Sequence, residues 1–183
     1  MKLNSRADFI ETLSEIDFTF SAPYWQHDRV FVPKRFARDK AMPRLTLRTI
    51  VKDPEKKAIY ALVMRRHFED EKFDLVNATV IKDYSEMAHI LYQLGYELRY
   101  EVSRRREELR MGESVNVYID KIDGIPGYYA RIESDLADGD DPREAYNDIL
   151  DTFKVLRVSG KPINETYGEI LESSKNDPMD KIS

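Results

Sequence analysis

Three stretches of this chain place charged or hydroxylated side chains at every second position, the spacing that puts them on one face of a β-strand. Arg104 and Arg106 flank Arg105, while Asn116, Tyr118 and Asp120 alternate with Val115, Val117 and Ile119. Tyr129, Arg131 and Glu133 alternate with Ala130 and Ile132. Arginine pairs on a strand suit phosphate, because the planar guanidinium fork meets two phosphate oxygens at once. The same faces can also be the solvated outer surface of a sheet, and alternation alone leaves both options open. Other chemistry is poorly supplied. There is no cysteine, which excludes disulfides, zinc thiolates and thiol nucleophiles. The histidines, His27, His67 and His89, are scattered and read as surface or core-edge residues. No Gly-rich phosphate loop, dinucleotide fingerprint or His-Glu-x-x-His motif occurs.

The whole chain bounds what these residues can serve. Its 183 residues suit one domain, and 42% apolar with 34% charged residues is a globular composition. A net charge of −5 argues against a broad nucleic-acid surface, although a local basic pocket inside an acidic protein still attracts anions. Met1 to Ser5 carries no apolar signal core, and no apolar run is long enough to span a bilayer. The expectation is a cytoplasmic protein without membrane contact.

The elements that would position the strand faces follow from pattern and punctuation. Ser5, with Asp8 three residues on, predicts a helix cap, and Phe9, Ile10, Leu13 and Ile16 predict a helix over about Arg6 to Glu15. Phe18 to Pro33, rich in aromatic and β-branched residues, reads as extended chain. Leu45 to Val51 and Ala58 to Arg66 predict an antiparallel hairpin around Lys52-Asp53-Pro54-Glu55, with a further strand at Asp74 to Ile81. Asp83 or Ser85 caps a helix carrying Met87, Ile90, Leu91 and Leu94, and Gly95 stands where a left-handed cap ends it. Strands return at Glu97–Glu107, Ser114–Ile122 and Gly127–Glu133, punctuated by Met111-Gly112 and Asp123-Gly124. Asp141-Pro142-Arg143-Glu144 starts a helix with a stripe of Ala145, Ile149, Leu150, Phe153 and Leu156 and a solvated acidic face of Glu144, Asp148 and Asp151. Asn164 is expected to open a last helix through Glu172. The fold class expected is α+β, a closed or nearly closed antiparallel β-barrel with helices packed outside. Residues 1–173 would form one domain, followed by a polar tail at 174–183.

The stretch from Ile90 to Glu133 also resembles a known family. Leu94-Gly95-Tyr96 precedes Val102-Ser103-Arg104-Arg105-Arg106, then Val117-Tyr118-Ile119-Asp120-Lys121-Ile122, a Gly124 turn, and Tyr129-Ala130-Arg131-Ile132-Glu133. Gln26-His27-Asp28-Arg29-Val30-Phe31 and Tyr167-Gly168-Glu169-Ile170-Leu171 extend the likeness in the same order. The chain resembles the CYTH superfamily, which includes class IV adenylyl cyclases, thiamine triphosphatases and inorganic triphosphatases. The resemblance implies a triphosphate tunnel. Its phosphate-binding residues would be Arg48, Arg65 (or Arg66, one register step away), Arg104, Arg106 and Arg131. Mg2+ or Mn2+ would be held by Asp120 and Glu133. The ligand would be a nucleoside triphosphate or inorganic polyphosphate. The implied activity is weak metal-dependent triphosphate hydrolysis, with a non-catalytic anion-binding module and a class IV adenylyl cyclase as alternatives, and a homodimer as one open assembly. Trp25 and Tyr24 would pack over the barrel mouth rather than stack a base.

The departures from that family are physical ones. Its N-terminal Glu-x-Glu-x-Lys is absent from Met1 to Ala7, Arg131 and Lys121 stand where it carries acids, and Val76-Asn77-Ala78-Thr79 replaces alternating glutamates. Arg48 matches the second Arg of an Arg-x-Arg strand, while Thr46 takes the first place. Magnesium needs hard oxygen ligands, so these exchanges move the expected chemistry from metal plus phosphate toward anion binding.

Overall fold

A computed structural model describes residues 1–15, 18–36, 42–53, 57–67, 74–112, 114–137, 139–161, 163 and 165–175. In chain order the elements are β1 (Lys2–Leu3), α1 (Arg6–Ser14), β2 (Tyr24–Pro33), β3 (Arg44–Val51), β4 (Ile59–His67) and β5 (Asp74–Ile81). They continue with α2 (Tyr84–Gln93), β6 (Tyr96–Met111), β7 (Val115–Ile122), β8 (Tyr129–Ser134), α3 (Pro142–Val155), β9 (Gly160–Lys161) and α4 (Tyr167–Lys175). The fold is α+β, and the strands form one antiparallel sheet in the order β5-β4-β3-β2-β6-β7-β8-β1-β9. No ladder among the described residues joins β5 to β9, so the sheet is open there and the expected barrel closure is not shown.

The chain divides into two compact units, Met1–Pro23 with Arg104–Ser183, and Tyr24–Ser103. In the first unit, one sheet face and two helices make the core. Leu109, Val117, Ile119, Ala130 and Ile132 pack with Leu3, Phe9, Leu13 and Leu156. Val117, Leu13 and Leu156 are fully buried, and each such side chain contributes about 1.5–3 kcal/mol. The caps are those the sequence predicts. The Ser5 side chain accepts from the Asp8 N–H, and that of Asp141 from the Arg143 N–H with Pro142 in the first turn.

Two short strands, β1 and β9, have no counterpart in the sequence reading. They pair as Lys2↔Lys161 and Leu3↔Gly160, and β1 pairs β8 at Lys2↔Tyr129. A Cβ at Gly160 would strike the Lys2 carbonyl oxygen, so only glycine permits this approach. Phe18 to Pro23 is not a strand. Phe18 and Phe20 pack on the core instead, and Pro23 has no N–H to give a ladder. The α3 stripe is shallower than expected, with Leu150 exposed, while Glu144, Asp148 and Asp151 face solvent.

In the second unit, Phe31, Leu47, Ala88 and Leu91 form the core, with Leu45, Leu62, Tyr84 and Met87 packed against it. The buried α2 stripe is therefore Tyr84, Met87, Ala88 and Leu91, whereas Ile90 and Leu94 are exposed. Asp83 is the cap that forms, accepting from the Glu86 N–H. Gly95 has φ +83, the left-handed conformation that only glycine adopts without strain. The β3–β4 pair is antiparallel as expected, but Pro54 and Glu55 of the expected turn lie outside the described residues. Ile16, Asn164 and residues 176–183 of the expected tail also lie outside them. Among the described residues no helix is long and apolar enough to cross a membrane.

Candidate anion site

Register decides which side chains meet. In the first unit Arg106 stands opposite Asp120, Tyr118 opposite Arg131, Asp120 opposite Tyr129, and Asn116 opposite Glu133. Opposed residues share a face, so the three alternating polar patterns of β6, β7 and β8 form one polar surface. Their apolar partners must bury against α1 and α3, and a one-residue slip would exchange the two faces. Hydrophobic burial on one side thus fixes the direction of the arginines on the other.

The centre of this polar surface is shielded from water. Asp120 is 0% exposed, Arg106 2% and Arg104 3%. Arg106 donates from Nε and Nη2 to the two Asp120 oxygens, both at 2.7 Å. Its guanidinium lies 4.1 Å from the Tyr118 ring centroid. Arg104 Nε is 3.9 Å from Asp120 Oδ1, and its guanidinium stands over Tyr167 at 5.6 Å. Tyr167 Oη donates to Asp120 Oδ2 at 3.1 Å, and its ring meets Tyr129 nearly edge-on at 5.7 Å. Arg131 Nε pairs with Glu133 Oε1 at 2.8 Å, both half-buried.

Tyr167 reaches Asp120 because α4 starts where it does. The Thr166 N–H and hydroxyl both donate to Glu169 Oε2, at 2.7 and 2.9 Å, and the Glu169 N–H donates back to Thr166 Oγ1. This reciprocal capping box holds Tyr167 in the first turn. Thr166-Tyr167-Gly168-Glu169 carries that signal in the sequence, but its contact with Asp120 spans 47 positions and no local pattern announces it.

Electrostatics follow the geometry. Burial pushes the Asp120 carboxyl up, and the Arg106, Arg104 and Arg131 charges together outweigh burial, so it lies below the ordinary carboxylate value. Burial raises the Tyr118 phenol to about 12. Burial and then the Asp120 charge raise the Tyr167 phenol. Both phenols stay protonated near neutrality, and that of Tyr167 donates to Asp120.

The second unit carries its own charged strand face. Arg48 Nε and Nη2 donate to the Asp28 oxygens at 2.8 and 3.1 Å, and Gln26 Nε2 donates to both at 3.1 Å. Pairings Arg48↔Ala61 and Arg44↔Arg65 place Arg65 on the same face as Arg48 and put Arg66 on the other. Arg65 pairs with Asp74 at 3.1 Å. Asp28 is not among the residues the sequence singles out, although its alternation with Gln26 places the two on one face. Tyr24 is buried beneath Lys52, 5.0 Å from its ring, whereas Trp25 is exposed. His27 meets Ser103 Oγ at 2.8 Å, His89 meets Gln93 at 2.8 Å, and the His67 side chain lies outside the described residues.

A divalent cation is poorly served by this arrangement. Both Asp120 oxygens already accept charged or phenolic donors, and Glu133 is paired with Arg131. Among the described residues no three His, Asp or Glu side chains converge on one point. The donor set fits an anion held by guanidinium groups better than a hard cation.

No protein-family model matches the chain, and no curated protein is similar to it by sequence. Solved structures resemble it in fold. The PH1819 protein from Pyrococcus horikoshii superposes with a TM-score of 0.75 at 20% identity, covering 94% of this chain and 96% of its own. A candidate adenylate cyclase from Vibrio parahaemolyticus gives 0.74 at 18% identity, over 93% and 94%. HpAC1 from Hippeastrum, a candidate adenylyl cyclase with a dominant triphosphatase activity, gives 0.60 at 13% identity, over 97% and 95%. The chain therefore shares the fold of these proteins.

Proposed function

We propose that the polar face of β6, β7 and β8 binds the phosphates of a triphosphate-containing nucleotide or of inorganic polyphosphate. The observation that carries this is the crowding of three guanidinium groups, Arg104, Arg106 and Arg131, around the buried carboxylate of Asp120. Like charges held together away from water repel strongly, and a polyanion relieves that repulsion. The cyclase and triphosphatase names of the structural neighbours support the ligand class. In the second unit Arg48 and Arg65 are further proposed phosphate contacts, each sharing its charge with a carboxylate. With Asp120 and Glu133 both paired, the proposal is a binding module with weak or absent turnover. Triphosphate hydrolysis is the second reading, favoured by the activity named for the Hippeastrum neighbour.

Calorimetric titration with inorganic triphosphate tests the proposal. Binding should be seen, and Arg131→Ala should weaken it about ten- to a hundredfold, the loss of one charge-assisted contact. Absence of binding under every metal condition would end it. Phosphate release from inorganic triphosphate or ATP with magnesium or manganese, abolished by Asp120→Ala, would instead establish the hydrolase.

A further inference from the structure

We propose that this site takes its polyphosphate as the bare, metal-free anion, so that magnesium opposes binding by sequestering the ligand. The inference rests on the phosphate-binding reading above and specifies which species of that ligand is recognised. Asp120 is inaccessible to solvent, and both its oxygens are occupied by Arg106 and Tyr167. A magnesium ion keeps several of its waters and demands near-octahedral oxygen ligands. To use Asp120 it would have to displace a bidentate guanidinium and a phenol and bring water into the core of the site. Glu133, the other candidate ligand, has Arg131 at 2.8 Å, and that guanidinium repels any cation drawn to the carboxylate.

The sheet edge adds to the same bias. Lys2 pairs with Tyr129 and Lys161 pairs with Lys2, which sets both lysines on the face that carries Arg131. Both are exposed, and the Lys2 side chain lies beside Gly127. A magnesium–triphosphate complex carries less negative charge than the free anion. Its metal already holds oxygens that the guanidinium forks would grip. The bare anion therefore gains more from this face than the complex does.

Calorimetry with inorganic triphosphate at fixed ionic strength, first with a chelator and then with rising magnesium, tests this. When magnesium has complexed about nine-tenths of the ligand, the apparent Kd should rise about tenfold, because only the free fraction binds. Equal or tighter binding with magnesium would overturn the inference while leaving the phosphate-binding reading intact. No binding in either condition would overturn both. Glu133→Gln supplies a test of opposite sign. It removes an internal competitor for Arg131, so metal-free triphosphate should bind several-fold tighter, with the tightening lost in Glu133→Gln/Arg131→Ala. Binding weakened by Glu133→Gln with magnesium present but not with the chelator would mark Glu133 as a metal ligand and overturn the inference.

Discussion

Two arginine–aspartate forks on strand faces, one in each unit, invite comparison. Arg48 and Asp28 in the second unit make the same bidentate contact as Arg106 and Asp120 in the first. The surroundings differ. Asp28 accepts from Arg48 and from the Gln26 amide, and the Arg48 side chain keeps 16% exposure. Asp120 has no exposure, accepts from Arg106 and Tyr167, and feels Arg104 and Arg131 as well. The Arg48–Asp28 fork ties β2 to β3 and keeps some contact with water. Under the proposed function, the arginines gathered around Asp120, one of them shared with Glu133, are what a ligand would use. Contact geometry alone would have scored the two alike.

Removing each carboxylate should separate them most. Asp120→Ala strands several buried guanidinium groups, a loss of about 3–5 kcal/mol. For a chain of this size, that is a melting temperature lower by roughly 10–15 °C. Asp28→Ala leaves Arg48 able to reach water and should cost about 1.5–3 kcal/mol. Equal losses in urea or thermal denaturation would break the comparison.

Acid titration sharpens it. The Asp120 carboxyl is held below its ordinary value in the folded protein, so its contribution is complete above the unfolded carboxylate pKa, about 3.9, and is lost as pH falls through the lower folded value. Stability measured from pH 6 downward should therefore fall steeply below about pH 4. The corresponding step should be missing in Asp120→Asn, and an unchanged acid limb in that variant would contradict the assignment. A smaller effect is expected from Tyr167→Phe. It removes one hydrogen bond to Asp120 but keeps the ring against Tyr129, costing about 1 kcal/mol, or roughly 3 °C in melting temperature.

Much of this was legible in the sequence where a local rule applied. Ser5, Asp83, Asp141 and Gly95 end helices by chemistry contained within a few residues, and the structure places them so. Alternation also gave the partnership of Arg104 with Arg106, and of Tyr129 with Arg131 and Glu133, because a strand offers only two faces. What no local pattern holds is partner choice across the sheet. The bond from Tyr167 to Asp120 depends on long-range docking. The two-residue strands β1 and β9 are too short to show a period. The exposed Leu150 and Leu94 show the converse limit, since a helical stripe fixes which residues share a face but not how deep a neighbour covers it.

The central claim, that the arginines around Asp120 hold a polyanion, is tested most directly by the melting temperature with inorganic triphosphate and a chelator present. At about 100 times the calorimetric Kd the stabilisation is about 2.7 kcal/mol, a rise on the order of 5–10 °C. High salt should shrink that rise. Arg104→Ala, which leaves the Arg106–Asp120 fork in place, should reduce it at the same ligand concentration. No rise in the wild-type protein, or a rise that Arg104→Ala leaves untouched, would contradict the account.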